Sequence, residues 1–346
     1  MNWFDEHITN NPSVLIIAEA GINHNGDFEM ALKLAEEAKN AGADCVKFQS
    51  FTYEASESKH SIMPGYFDGK MRFATKKEWY DSISLSESQF AELKSFCGKI
   101  GIAFLSTACD VDGLAILQRI GAEAVKIASA DAANDYLLKA VGRSALPVIL
   151  STGMTTLEEL DHGIDVLRTH GTSRIALTQC TSQYPAPYDE VNLKAMDSLR
   201  QRYNLPVGLS DHTPGIEIAV AAVALGATII EKHFTLDRDL PGVDHQASIE
   251  PRELATLTTA IRNVEKAMGD GVKTPSPSEQ ENAPAMKRSL MAAKPIKAGT
   301  TLVEDDITAK RPGTGMPPSK LDSLIGKRLK VDMEYEDMFN EELFER

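Results

Sequence analysis

LPVGLSDHTPGIEIAVAAVALGATIIEKHFTLDRDLPGVDHQAS, residues 205–248, decides the fold of this chain. It holds two short β-branched runs, 206–209 and 228–230, and each ends abruptly in polar residues. The first runs into Ser210-Asp211-His212 and the second into Glu231-Lys232-His233. The segment between them carries helix signals: Thr213 as a cap, Pro214 in the first turn, an Ala/Val-rich body and Gly226 as a stop. Two parallel strands joined by one helix end on the same side of a sheet. His212 and His233 are therefore predicted to face one site from neighbouring strand ends. Alternate residues of a strand share a face, which puts Ser210 with His212 and Glu231 with His233. Two imidazoles beside carboxylates suit a divalent transition metal. Either histidine alone reads as a satisfied structural residue, but the pair placed in this way reads as a pair of metal ligands.

The same pattern recurs along the chain. Short apolar runs at 14–18, 45–48, 102–105, 124–128, 147–150, 174–178, 206–209 and 228–230 predict eight parallel strands covered by helices. Helical segments fill the gaps. One starts at Asp27 with the stripe Met30, Leu34, Ala38, and another at Ser86 with Phe90, Leu93 and Phe96. Others are expected at 110–119, 134–141, 156–167, 189–200 and 251–268. Eight strand-helix alternations with no glycine-rich dinucleotide fingerprint predict a closed (β/α)8 TIM barrel, an α/β fold, rather than an open doubly wound sheet. Residues 53–85 have no clean period and are expected to form a long loop over the barrel mouth. The barrel domain is placed at 1–270. From 269 to 281 the composition turns to Gly, Pro, Ser, Lys and Glu, so 271–286 is expected as a linker. Residues 287–346 read as a small β-rich domain of short strands, too small to be stable without docking on something.

Chemistry in a barrel sits at the C-terminal strand ends. Those ends carry Glu19, Lys47 with Gln49, Ser106-Thr107, Lys126 with Ser129, Ser151-Thr152, Thr181-Ser182, Ser210 with His212, and Glu231 with His233. Single hydroxyls at a strand end can serve solubility alone. Lysines pointing into a barrel mouth need an anionic partner. Lys47 and Lys126 with a ring of hydroxyls and a metal pair describe a pocket for a phosphorylated or carboxylated small molecule.

With 36 basic and 50 acidic residues among 346, the formal charge is −14. That excludes nucleic acid and anionic membrane as partners, because backbone-phosphate binding needs a basic face. The opening MNWFDEHITNN has no apolar core of signal-peptide type, and the longest near-apolar run, 218–230, is too short to span a bilayer. The four cysteines show no C-x-x-C spacing and read as free thiols. A soluble, cytoplasmic protein is expected.

Several motifs together resemble the N-acetylneuraminate (sialic acid) synthase family, which includes legionaminate-type synthases. They are IIAEAGINHNGD (16–27), VKFQSF (46–51), KIASAD (126–131), STGM (151–154), CTSQYPAPYDEVNL (180–193), GLSDHTPG (208–215) and EKHFTLDRDLPGVDHQASIEP (231–251). The tail SLMAAKPIKAGTTLVEDDITAKRPGTG (289–315) resembles the antifreeze-like SAF (β-clip) domain of such synthases. The resemblance covers nearly the whole chain. It implies condensation of phosphoenolpyruvate with an N-acetylated hexosamine, N-acetylmannosamine, to give N-acetylneuraminate and phosphate. It further implies that Lys47, Thr107, Lys126, Ser129, Ser151 and Ser210 hold the phosphate and carboxylate, and that His212 and His233 bind Mn2+, with Mg2+ or Co2+ as alternatives. Glu19 becomes the candidate base for the water step, with Glu231 as the second catalytic carboxylate. Tyr184 and Asp244 would position the sugar, Gln49 and Ser182 would serve substrate or water, and Arg311 would reach the sugar's N-acetyl group from a neighbouring subunit in a domain-swapped homodimer.

STACD (106–110) replaces the family's commoner STPF, Ser182 stands where some relatives have Asn, and EWYDSISLS (78–86) replaces a Gln- and Glu-rich run. These departures bear on the acceptor, so condensation with a 2,4-diacetamido-trideoxyhexose to a legionaminate-type product stays open. Pseudaminate synthesis fits PGVDHQASIEP less well. A synthase for sugar phosphates would leave the tail unexplained, and a binding protein using the tail alone would leave the charged strand ends unexplained.

Overall fold

The computed structural model describes residues 3–9, 13–62, 73 and 75–345. Residues 1–269 form one compact unit and 270–346 a second. Eight parallel strands close the first unit into a barrel in sequence order. They are β1 (Leu15–Gly21), β2 (Cys45–Ser50), β3 (Ala103–Ala108), β4 (Val125–Ile127), β5 (Val148–Ser151), β6 (Ile175–Cys180), β7 (Val207–Asp211) and β8 (Ile229–His233). β8 closes the ring on β1, with Glu19 opposite His233. All eight expected strands are present. Most run one to three residues further toward the C-terminus than their apolar runs, so the polar ends lie within the ladder.

Alternation divides the barrel interior into layers. The lower layer is Leu15, Ile17, Cys45, Leu105, Ala124, Ile149, Ala176 and Ile229, closed from below by Trp3, Phe4 and Ile8. Two residues further along each strand comes a polar layer: Glu19, Lys47, Thr107, Lys126, Ser151, Thr178, Ser210 and Glu231, all buried. β7 has Gly208 at the level of the apolar layer. A Cβ there would lie 2.2 Å from the Ile229 carbonyl oxygen, so only glycine lets β7 and β8 approach this closely. Residues facing outward pack under the helices. There the Lys232 ammonium lies 2.8 Å from Asp211 and also donates to the Thr213 carbonyl, a buried structural pair.

Five of the helices start where they were expected. Asp27, Ser86, Asp110, Asn134 and Thr156 cap α1 (Phe28–Asn40), α4 (Glu87–Ile100), α5 (Val111–Arg119), α6 (Asp135–Ser144) and α7 (Leu157–Thr169), each accepting a backbone N–H. The α1 stripe is Ala31, Leu34, Ala35 and Ala38, with Met30 only half-buried. The helix expected at 189–200 is instead α8 (Ala195–Tyr203), because Asn192 takes a left-handed conformation at φ 50° and breaks the run. Thr213 caps nothing: its N–H and hydroxyl both go to Asp211 Oδ1, and α9 (Glu217–Ala224) starts later. α10 (Pro251–Ala267) closes the ring.

The stretch expected as an unstructured loop carries two short helices, α2 (Tyr53–Ser56) and α3 (Lys76–Ile83), and residues 63–72 and 74 lie outside the described residues. A Thr75–Glu78 capping box starts α3. The expected linker likewise carries α11 (Pro277–Met286), started by a Ser276–Glu279 capping box. In the second unit β9 (Ser289–Ala292) pairs antiparallel with β10 (Ile307–Lys310) over a core that includes Leu290, Leu302, Leu329 and Phe339. No helix among the described residues is long and apolar enough to cross a membrane. All four cysteines are free.

Candidate active site

The polar layer opens upward into a cleft of about 570 Å³ at the C-terminal strand ends. Fourteen of the sequence-predicted residues line it: Glu19, Lys47, Gln49, Thr107, Lys126, Ser129, Ser151, Ser182, Tyr184, Ser210, His212, Glu231, His233 and Asp244. Arg311 belongs to the second unit, where it is exposed and its Nε donates to the Met286 carbonyl.

Glu231 is the hub. Its Oε1 accepts from Ser210 Oγ at 2.9 Å and lies 3.6 Å from Lys126 Nζ and 3.7 Å from Lys47 Nζ. Burial alone would push this carboxyl up, but the two ammonium groups and the Ser210 hydroxyl outweigh it and hold it down at about 2. Lys47 also contacts Glu19 Oε1 at 2.9 Å and donates to Thr107 Oγ1 at 3.0 Å. Burial works against its charge, yet the two carboxylates raise its pKa. Lys126 has no carboxylate closer than Glu231, donates to Ser151 Oγ at 2.6 Å, and is lowered by burial. Ser151 passes the chain on to Thr178 Oγ1 at 2.8 Å.

Glu19 is the opposite case. Burial and the nearby Glu231 raise it to about 7, against the lowering by Lys47 and Gln49, whose Nε2 donates to it at 3.0 Å. Its second oxygen, Oε2, is buried without a hydrogen-bond partner, as are Glu231 Oε2 and His233 Nδ1. Glu19, Glu231 and His233 all line the cleft together with cations and hydroxyls, an arrangement suited to a polar ligand that completes their hydrogen bonds.

The His212 and His233 rings lie 5.3 Å apart, centroid to centroid, and the Tyr184 ring packs 4.1 Å from His212. His212 Nδ1 lies 2.8 Å from the Thr181 carbonyl, which fixes its proton there and leaves the lone pair on Nε2, 3.5 Å from Ser210 Oγ. Cys180 Sγ lies 3.9 Å from the same Nδ1. Burial would raise this thiol, but His212 brings it down to about 7; burial works against the charge on His212 in turn, yet the pairing raises it. His233 is held well below its usual value by burial and by His212, and its Nδ1 lies 4.0 Å from Asp244 Oδ2. Among the described residues no group of three or more His, Cys, Asp or Glu side chains is arranged to hold a metal ion. A divalent cation held by the two imidazoles would have to take its remaining ligands from outside the chain.

Alternation marks Thr178 as inward-facing, but as the last residue of the apolar run 174–178 it reads only as a strand terminus, and sequence reading passed over it. The wall from α2 and α3 was also missed. Glu57, Lys76, Trp79 and Tyr80 line the cleft, with Lys76 Nζ 3.1 Å from Glu57 Oε2 and the Tyr80 hydroxyl donating to Glu57 Oε1 at 3.0 Å. The Thr75–Glu78 capping box was the signal that could have found α3.

A model described as the NeuB family matches residues 34–273, and one described as the SAF domain matches 287–335. The N,N'-diacetyllegionaminic acid synthase of Campylobacter jejuni subsp. jejuni is 43% identical over 94% of this chain and 99% of its own length. The N-acetylneuraminate-9-phosphate synthase of Homo sapiens is 33% identical over 95% and 92%. A crystal structure of an N-acetylneuraminic acid (sialic acid) synthetase from Leptospira borgpetersenii, in complex with citrate, is 39% identical. It superposes with a TM-score of 0.68, covering 78% of this chain and 90% of that one.

The Glu19 environment predicts a pH dependence. Its native pKa, about 7, lies above the ordinary 4.5, so the native state binds more protons than the unfolded chain in that interval. Its contribution is present below 4.5 and is lost as pH rises toward 7. The Glu231 contribution is present above 4.5 and lost only as pH falls toward about 2. Urea unfolding of chelator-treated protein should therefore show wild type losing stability relative to Glu19→Gln between about pH 5 and pH 8. A difference that does not change with pH would contradict the assignment.

Proposed function

The chain belongs to the NeuB family and carries a SAF domain, and on that premise we propose that it condenses phosphoenolpyruvate with an N-acetylated hexosamine to a nine-carbon 2-keto acid. The observation that carries this reading is the polar layer itself: two buried lysines and a line of hydroxyls at the base of a cleft whose rim holds two histidines. Lys47 and Lys126 would bind the substrate's phosphate and carboxylate, with Thr107, Ser129, Ser151 and Ser210 completing the hydrogen bonds. Both lysines already contact carboxylate oxygens, which hold them in place before the substrate's oxygens arrive.

His212 and His233 would hold the divalent cation, Mn2+ by expectation, with Mg2+ or Co2+ as alternatives. Such a cation, when bound, supplies Lewis-acid polarisation of a carbonyl oxygen. The new bond joins C3 of phosphoenolpyruvate to the aldehyde carbon of the open-chain sugar, and the aldehyde oxygen takes up a proton to become a hydroxyl. Loss of the C2–C3 π electrons leaves a cation at C2. Water adds there as Glu19 takes its proton at the unpaired Oε2. The C2–O bond to phosphate then breaks, the C2 hydroxyl gives up its proton to the departing phosphate, and C2 becomes the ketone. The ionised Glu231 keeps the two lysines charged and placed for this sequence, which makes it a positioning residue rather than a proton donor.

Tyr184, Asp244, Gln49 and Ser182 would meet the sugar or the water. N-Acetylmannosamine is the acceptor expected from the sequence. The 43% identity to a protein named for a diacetylated product supports the diacetamido alternative equally. Arg311 of the partner subunit would hold the acceptor's N-acetyl group in a domain-swapped dimer.

The direct test is phosphate release from phosphoenolpyruvate with Mn2+ and a panel of N-acetylated hexosamines. Release should require both substrates, stop on chelation, and fall at least a hundredfold in His212→Ala and in His233→Ala. Full, chelator-insensitive activity in either variant would refute the histidine assignment. The trans arrangement of Arg311 is tested by mixing Arg311→Ala and His212→Ala proteins, each inactive alone. Subunit exchange should restore activity, because one site of each heterodimer is then intact. Heterodimers that form and stay inactive would place the arginine's action within its own chain.

A further inference from the structure

The stretch INHNGD, 22–27, follows β1, and of its side chains only Ile22 lines the cleft. Two of its asparagines reach instead into the loop that joins β8 to α10. The Asn23 side chain is buried, and its Nδ2 donates at 2.9 Å to both the Phe234 carbonyl and Ser248 Oγ. Ser248 Oγ donates in turn to the Asp244 carbonyl at 2.7 Å, which the Ala247 N–H also reaches at 3.1 Å. Both end carbonyls can only accept, so the relay has one polarity, from amide N–H to hydroxyl to carbonyl. Two residues on, Asn25 Nδ2 lies 3.2 Å from His245 Nε2, and His245 Nδ1 lies 2.6 Å from Thr235 Oγ1. Thr235 Oγ1 donates to the Asp237 carbonyl at 3.1 Å, which leaves the His245 proton on Nδ1 and lets Nε2 accept from Asn25. Gly242 closes over this second relay, since a Cβ there would lie 2.6 Å from the His245 ring and 3.0 Å from Asn25 Oδ1.

Resting on the proposed reaction, we infer that Asn23 is a positioning residue for the acceptor: through Ser248 it fixes the Asp244 peptide, and with it the carboxylate that meets the sugar. Neither Asn23 nor Ser248 lines the cleft, whereas Asp244 does, with its Oδ2 4.0 Å from His233 Nδ1. Asp244 belongs to no strand of the barrel and sits where the loop enters the short turn His245–Ala247. Its direction therefore depends on what holds that loop. The first relay grips the Asp244 carbonyl, and the second seats the next residue, His245. The same Asn23 amide grips Phe234, directly after His233, so one side chain ties the sugar-facing carboxylate to the end of β8. A misplacement of about 1 Å in an orienting group can cost on the order of a hundredfold in rate. The task at position 23 needs two N–H donors on one short side chain, which leucine and an ionised aspartate both lack. The two lysines assigned to phosphoenolpyruvate come from β2 and β4, and their hydrogen bonds go to Thr107 and Ser151, outside this relay.

The test measures kcat and both KM values, with Mn2+ present, in wild type, Asn23→Leu, Ser248→Ala and the double variant. The acceptor is whichever of N-acetylmannosamine and the 2,4-diacetamido-trideoxyhexose wild type uses better. Each single variant should raise the acceptor KM about tenfold and leave the KM for phosphoenolpyruvate within twofold of wild type. The double variant should be no worse than Asn23→Leu, because both substitutions cut one relay. General loss of structure would instead weaken both substrates and multiply in the double variant. Ser248→Ala keeps the Asn23 bond to Phe234, so its KM split decides the matter alone where Asn23→Leu does not fold. An acceptor KM within twofold of wild type in Ser248→Ala, equal losses for the two substrates, or effects that multiply would overturn the inference and leave the condensation reading intact. No phosphate release by wild type with either sugar overturns both.

Discussion

Glu231 Oε1 holds two buried ammonium groups within 3.7 Å and accepts a hydrogen bond from Ser210, and the rest of the site is built around that contact. Three elements meet there, because Lys47 comes from β2, Lys126 from β4 and Glu231 from β8. Charges buried this deeply are tolerated only when paired, and removing one partner of such a set costs about 3–5 kcal/mol. The barrel supports the arrangement from below with a solid apolar layer and the N-terminal plug of Trp3, Phe4 and Ile8. Water therefore reaches the charges from the mouth side. A substrate anion entering from above meets cations already desolvated and oriented, which is the preorganisation that electrostatic catalysis requires.

The two carboxylates of this layer divide by environment. Glu231 faces two lysines and stays ionised, whereas Glu19 shares one lysine and feels Glu231 as a like charge. One group thus fixes charge while the other is poised to exchange a proton near neutrality. Outward from the same strands, Lys232 and Asp211 form a pair that does not line the cleft. Adjacent residues of one strand thereby serve two different purposes, and the pleat alone separates them.

The barrel and its polar layer were legible in the sequence because both follow from period-two and period-3.6 patterns and from single side-chain caps. An apolar strand ending in Glu-Lys-His or Ser-Asp-His states its own direction and inner face. What was not legible depended on competition between local groups. Thr213 has the right identity for a cap, but Asp211 Oδ1 takes both its donors, and the helix waits until Glu217. Asn192 looks compatible with a helix until its left-handed backbone breaks the run. α3 and α11 are eight and ten residues long, too short for periodicity to stand out, and each was announced only by a capping box. The apolar wall of the cleft could not be read either, because Ile22, Phe51, Ile83 and Val243 come from four separate stretches that only the closed barrel brings together.

The central claim is that the lysine layer is an anion site for an enol phosphate and not merely a structural charge cluster. Calorimetric titration of phosphoenolpyruvate into the metal-loaded protein and into Lys126→Met measures this most directly, since methionine keeps the aliphatic stem and removes only the charge. One site per chain in wild type, with affinity at least tenfold weaker in the variant, about 1.4 kcal/mol or more, is the predicted result. Equal affinity in the two proteins, or no binding to wild type, would contradict it.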